Sequence, residues 1–281
     1  MIKNQIRTVV LLGLLTGLLL GAGQFFGGTQ GLLTGLVIAI VMNFGTYWFS
    51  DKIVLAMYRG KIAAEKDFPD VYAIVKEVAG SAGMPAPKVY VIPSDSPNAF
   101  ATGRNEKHAA VAVTQGILRI LSKDELKGVI AHEISHIKNR DTLIQAVAAT
   151  IAGVIGYLAF MARFAAIFGG RGSRDSGRMF ELLALSIITP LIALIIQLAI
   201  SRSREFLADE KGAKLTKNPE ALASALEKLE SSVKANPLMF GSPSTSSLFI
   251  VNPFKAGGIT SLLSTHPPTK ERASRLRSMQ V

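Results

Sequence analysis

The sequence predicts an α+β membrane protein: a mostly helical domain with a small sheet, carried on about four transmembrane helices in two hairpins. Three observations predict it. Hydrophobic residues make up 49% of the 281-residue chain and charged residues only 18%, with a mean hydropathy of +0.34. The apolar residues are bunched into long runs, separated by shorter stretches that show strand alternation and helical periodicity. One of those helical stretches carries His132-Glu133-Ile134-Ser135-His136, which puts two imidazoles on one helix face with a carboxylate beside them.

The first hairpin fills residues 1–50. No charged residue occurs from Thr8 to Ser50, and the two apolar runs are split by Gly21–Gln30. Each run approaches the roughly 20 residues that cross about 30 Å of hydrocarbon. A signal peptide is the competing reading of the first run, since Lys3 and Arg7 precede it. A second full run follows at once with no cleavage pattern, which favours the hairpin. Lys3 and Arg7 before it, and Lys52, Arg59, Lys61 and Lys66 after it, place both ends in the cytoplasm.

Residues 51–141 form the first soluble part. An amphipathic helix begins at Asp70 and carries Val71, Ile74, Val75 and Val78 before the Gly83-Met84-Pro85 breaker. Lys88–Ile92, Ala99–Thr102 and Ala109–Val113 read as strands. Ser122-Lys123-Asp124-Glu125 is a capping box that starts the histidine helix, with Leu126, Val129, Ile130, Ile134 and Ile137 as its buried stripe.

A second apolar hairpin spans 142–200, with runs at about Thr142–Ala162 and Leu182–Ile200. Arg163, Arg171, Arg174 and Arg178 near its tip resist translocation. Either the flanking soluble parts override them, or this hairpin does not fully cross. Residues 201–281 form the second soluble part: a helix through Glu205 and Ala208, another started by Asn218-Pro219, and a last short one from Pro268. Residues 236–264, rich in Ser, Pro and Gly, are expected as a mobile surface loop that could cover the cleft.

The chemistry follows from the histidine helix. The chain holds four histidines, so a chance H-E-x-x-H is expected only about 0.002 times at its own residue frequencies. Zinc takes two such imidazoles and needs at least one further protein ligand. Zero cysteines exclude thiolate ligands, disulfides and a Cys nucleophile. Glu205 and Asp209 lie four apart on another helix, so one can ligate while the other orients a histidine; pairing with nearby arginines and lysines is the alternative. His136 precedes the second hairpin by six residues and Glu205 follows it by five, so an antiparallel hairpin brings them to one level and makes Glu205 the third ligand. The net charge of +11 fits an inner membrane face rich in anionic lipid; with no recognition motif, nucleic acid is not expected as a partner.

Four motifs together, His132–Asp141 (HEISHIKNRD), Ser203–Asp209 (SREFLAD), Asn98–Gly103 (NAFATG) and His266–Pro268 (HPP), resemble the HtpX family of membrane zinc endopeptidases, relatives of the CAAX prenyl endopeptidases. The resemblance covers nearly the whole chain. It implies a zincin, gluzincin-like catalytic domain and one zinc ion held by His132, His136 and Glu205. It further implies Glu133 as general base and Asp209 as the carboxylate orienting a ligand histidine. Asn98 would touch substrate or oxyanion, with Ala99, Phe100, Ala101 and Thr102 as the strand to which an extended peptide adds. His266 and Arg272 would face the scissile carbonyl. Asp141 matches a recurring family aspartate, although helix capping or pairing with Arg140 explains it equally well. His108 is given no role. The implied activity is proteolytic quality control of misfolded or damaged membrane proteins, in a multi-pass protein of the bacterial inner membrane with a cytoplasmic site. Prenyl-protein processing, which in the relatives uses seven spans, is not expected from four. A non-catalytic membrane adaptor with a structural zinc is the alternative.

Overall fold

The computed structural model describes residues 2–168, 202–238, 246, 248–254 and 267–281. Helix α1 (Ile2–Met57) is interrupted at Gly28, whose φ of 56° and ψ of −142° suit a residue without Cβ. The chain reverses there. Asn43 Nδ2 donates to Thr16 Oγ1 at 2.8 Å across the two arms, so they run antiparallel, as the first hairpin was expected to. Asn4–Met57 is, among the described residues, long and apolar enough to cross a membrane. Most of its large apolar side chains, from Ile6 to Phe49, are exposed.

A four-stranded sheet follows, built from β1 (Lys61–Ile62), β2 (Lys88–Ile92), β3 (Ala99–Gly103) and β4 (Ala109–Thr114) in the order β1-β2-β4-β3. β2 and β4 are parallel, and the other two pairs are antiparallel. The short strand β1 carries no apolar alternation and was not readable from sequence. β3 lies at an edge, as expected, yet all five of its residues are buried. Helix α2 (Pro69–Ser81) packs Val71, Ile74, Val75 and Val78 toward the sheet and the histidine helix. A short helix α3 (Gln115–Ile120) leads to α4 (Lys123–Asn139), the histidine helix, which opens on the expected capping box.

Helix α5 (Asp141–Phe168) covers the first arm of the expected second hairpin; the return over 182–200 lies outside the described residues. Leu11 and Leu15 of α1 share a core cluster with Leu143, Ile144, Val147 and Ile151 of α5. With Asn4 at Asp141 and Leu11 beyond it, the first arm of α1 and α5 start together and run in the same direction. Helices α6 (Arg202–Thr216), α7 (Pro219–Ala235) and α8 (Thr269–Arg277) then close around α4. The α4–α6 crossing is tight: a Cβ on Gly212 would stand 2.9 Å from the His132 amide nitrogen. Only glycine lets the two metal-site helices meet so closely.

One expectation is corrected. Part of the 236–264 segment is core, not mobile surface: Leu248, Phe249, Ile250 and Val251 are buried. Phe249 packs edge-on against Tyr58 at 4.8 Å and Phe100 at 5.3 Å between ring centroids. Burying an apolar run of four outweighs the turn-forming residues around it.

Glu125 ties the start of α4 to α7. Its carboxylate accepts from Ser224 Oγ at 2.6 Å, Lys228 Nζ at 2.8 Å and the Ser122 amide at 2.8 Å. Burial raises its pKa, but these bonds outweigh it and bring the carboxyl from 4.5 to about 2. The charged form is therefore the stabilising one above about pH 4.5, and its contribution fades as pH falls toward 2. With Lys228 half-exposed, Glu125→Gln is predicted to cost about 1–2 kcal/mol at pH 7. Denaturant unfolding in detergent at pH 7 and pH 3 should show the difference shrinking at the lower pH.

Candidate metal centre

Helix α4 presents His132, Glu133 and His136, exposed by 0%, 2% and 3%, and α6 brings Glu205, exposed by 2%. The imidazole rings lie edge to face, with centroids 4.7 Å apart. His132 Nε2 and His136 Nε2 are 3.1 Å apart; Glu205 Oε2 lies 3.7 Å from the first and Oε1 3.5 Å from the second. Ligands about 2.0–2.1 Å from a tetrahedral zinc stand about 3.3 Å from one another. The three donors fit zinc in spacing.

Their chemistry fits as well. His132 Nδ1 lies 2.9 Å from Asp209 Oδ1, and His136 Nδ1 lies 3.2 Å from Asp141 Oδ2. Each carboxylate calls for a proton on the ring nitrogen facing it, so the two Nε2 atoms turn lone pairs toward each other and toward Glu205. Three acceptors converging in a buried space require a cation or proton among them. Burial lowers the His132 pKa to about 4 although Asp209 opposes it. Burial also works against charge on His136, but Glu205, Asp141 and Glu133 outweigh it and lift that pKa to about 9.

Glu133 is pushed up to about 8, mainly by burial and further by Glu205, with His136 opposing. Its carboxylate also accepts a hydrogen bond from the Ala101 amide on β3. The open edge of β3 is thus occupied along its length: Ile250 donates to the Ala99 carbonyl at 3.2 Å, Ala101 donates to Glu133, and Thr142 Oγ1 donates to the Gly103 carbonyl at 2.7 Å.

The other expected site residues fall differently. Asn98 is buried; its Nδ2 donates to the Val251 carbonyl at 2.7 Å and its Oδ1 accepts from the Ala99 amide at 3.0 Å. Arg272 is fully buried, with Nε and Nη2 on the two oxygens of Asp209 at 2.8 and 2.7 Å and Nη1 on the Ile250 carbonyl at 2.9 Å. All three of its nitrogens are engaged, and Nη1 also lies 3.9 Å from Glu205 Oε2, so Arg272 stands against both Asp209 and a zinc donor. His266 lies outside the described residues. Asp141 does not pair with Arg140; it backs His136, with Arg204 Nη1 at 3.8 Å and Asn4 Nδ2 at 3.0 Å. His108 is exposed, and its backbone amide donates to the Oδ1 of Asn105, which caps this turn.

Two buried histidines four apart on a helix, a carboxylate between them and a third ligand from a second helix define a metallopeptidase. A family model agrees: Peptidase family M48 matches residues 65–280, and the chain belongs to that family, whose cofactor is zinc. The chain is 54% identical over 280 residues to a protease HtpX homolog of Syntrophobacter fumaroxidans, covering 98% of this chain and 99% of that protein. It is 53% identical over 276 residues to one from Thermococcus kodakarensis, covering 98% and 95%. Among solved structures it resembles S. mikatae Ste24p in fold, with a TM-score of 0.52, 19% identity, and coverage of 98% of this chain and 66% of that one.

Asp209 is predicted to serve twice, as the partner of His132 and of Arg272. Asp209→Ala should weaken zinc binding by about 10–100-fold in chelator competition. It should also leave a buried guanidinium unpaired, at about 3–5 kcal/mol in unfolding. Pairing the change with Arg272→Met should recover much of the stability and little of the zinc affinity.

Proposed function

We propose that the protein is a zinc-dependent endopeptidase at the inner membrane surface, acting on misfolded or damaged membrane proteins in proteolytic quality control. The observation that carries this reading is the position of Glu133. Its buried carboxylate sits beside the three zinc donors and touches Ala101 of the edge strand.

Zinc held by His132, His136 and Glu205 would supply a Lewis acid. Glu133 takes a proton from water as its oxygen adds to the scissile carbonyl carbon, and returns that proton to the amine nitrogen as the C–N bond breaks. Ala99–Thr102 orient an extended peptide through backbone hydrogen bonds, so sequence preference is loose. An incoming strand must displace the Ile250 amide from the Ala99 carbonyl and the Glu133 carboxylate from the Ala101 amide, which frees Glu133 for its proton transfers. Asn98 fixes the start of this strand against Val251. His266, placed by resemblance, is the remaining side chain for the oxyanion. Arg272 keeps Asp209, and through it His132, in place.

The apolar hairpin of α1 with its flanking positive charges supports a multi-pass inner-membrane protein whose site faces the cytoplasm. Aromatic residues Phe44, Tyr47, Trp48 and Phe49 cluster near the end of α1, as in an interfacial belt. Arg104, in the β3–β4 connection, stacks on Trp48 at 4.7 Å and donates to its carbonyl at 2.9 Å. That contact holds the substrate strand near the level of the belt, where membrane-protein segments would arrive. Three protein donors among the described residues leave zinc a position for water, whereas a structural zinc in an adaptor is closed by four.

Glu133→Ala is predicted to retain zinc and to lose about 100-fold or more of casein or membrane-substrate cleavage in detergent. A variant that holds zinc and cleaves at the wild-type rate would refute the assigned base.

A further inference from the structure

Each ligand histidine has a carboxylate behind it, but the two carboxylates are held by different parts of the molecule. Asp209 is held by Arg272 of α8. Asp141 is hydrogen-bonded from α1, 137 residues earlier in the chain: Asn4 Nδ2 donates to Asp141 Oδ1 at 3.0 Å and to the Asn139 backbone carbonyl at 2.7 Å, while Arg204 Nη1 of α6 stands 3.8 Å from the same Asp141 oxygen. The amide nitrogen faces two acceptors, which fixes which way the Asn4 side chain is turned. Asp141 is 1% exposed, and its other oxygen meets His136 Nδ1 at 3.2 Å. A continuous chain of hydrogen bonds therefore runs from the first turn of the N-terminal hairpin to a ligand imidazole.

Asn4 joins three pieces at one point: the last turn of α4, the first residue of α5 and the start of α1. The first arm of α1 runs beside α5 and packs on it through Leu11 and Leu15. Any slide of that arm along α5 would draw Asn4 away from Asp141. A buried carboxylate takes its orientation from its donors, and a ligand imidazole takes its orientation and basicity from that carboxylate.

We propose that Asn4 is a positioning residue of the metal centre, acting through Asp141 on His136, so that the N-terminal hairpin is part of the site's support as well as an anchor. The inference rests on zinc being held by His132, His136 and Glu205.

The test uses the full chain in detergent. Zinc affinity is measured by chelator competition, and the cobalt-substituted protein is read by its visible d–d absorption. Asn4→Ala is expected to weaken zinc binding about three- to tenfold, less than removal of a carboxylate touching the ligand. Asn4→Asp, which sets a second carboxylate against Asp141, is expected to weaken it tenfold or more. Both should shift the cobalt spectrum. Asn43→Val, which breaks a bond between the hairpin arms away from the site, should change neither readout. Unchanged affinity and spectrum in Asn4→Ala would overturn the proposal while leaving the zinc reading intact. Equal losses in Asn4→Ala and Asn43→Val would overturn it in favour of general helix packing. A wild-type chain that binds no zinc would overturn both.

Discussion

The structure turns on one constraint: ionisable groups are packed together almost without water. Glu133, Glu205, Asp209 and Asp141 are all nearly inaccessible, with Arg272 and Arg204 as the buried cations beside them. Burying charges this close together costs several kcal/mol per ion unless each meets a counter-charge or hydrogen-bond partner. Arg272 and Arg204 stand against Asp209 and Asp141, and a divalent cation suits the point where His132, His136 and Glu205 converge. The helix that carries the histidines, the glycine that lets α6 approach it and the arginine that holds Asp209 all serve that arrangement.

The same constraint explains why the site is assembled from so many separate elements. No single helix can surround a cation, so α4 gives two donors, α6 the third, α8 the arginine and α5 the second orienting carboxylate. Each contribution is directional. The two imidazoles are locked from behind by carboxylates, so only their Nε2 atoms face inward. Glu133 is locked to the sheet edge by Ala101 and stays out of the ligand set.

Much of this was legible in sequence because it is local. The capping box at Ser122, the i, i+4 histidines, the apolar hairpin and the Asn218 cap depend on residues within a turn or two of one another. Glu205 became legible only through chain geometry, since two arms of a hairpin must return to one level. The partners of Arg272 and Asp141 were not legible. Arg272 meets Asp209 across 63 residues and Asn4 meets Asp141 across 137, and no periodicity announces such contacts. The family resemblance points to Arg272 as an oxyanion partner, and only the fold shows its hold on Asp209 and the Ile250 carbonyl. Leu248–Val251 were misplaced for a different reason, because turn-forming neighbours masked a short apolar run that the fold buries against β3.

The central claim is that two imidazoles and one carboxylate hold zinc, with no further protein donor among the described residues. X-ray absorption at the zinc edge on the purified full chain tests it most directly. The account predicts a first shell of light atoms only, at about 2.0–2.2 Å, with the multiple-scattering signature of two imidazoles. A shell with three or more imidazoles, or with none, would contradict it.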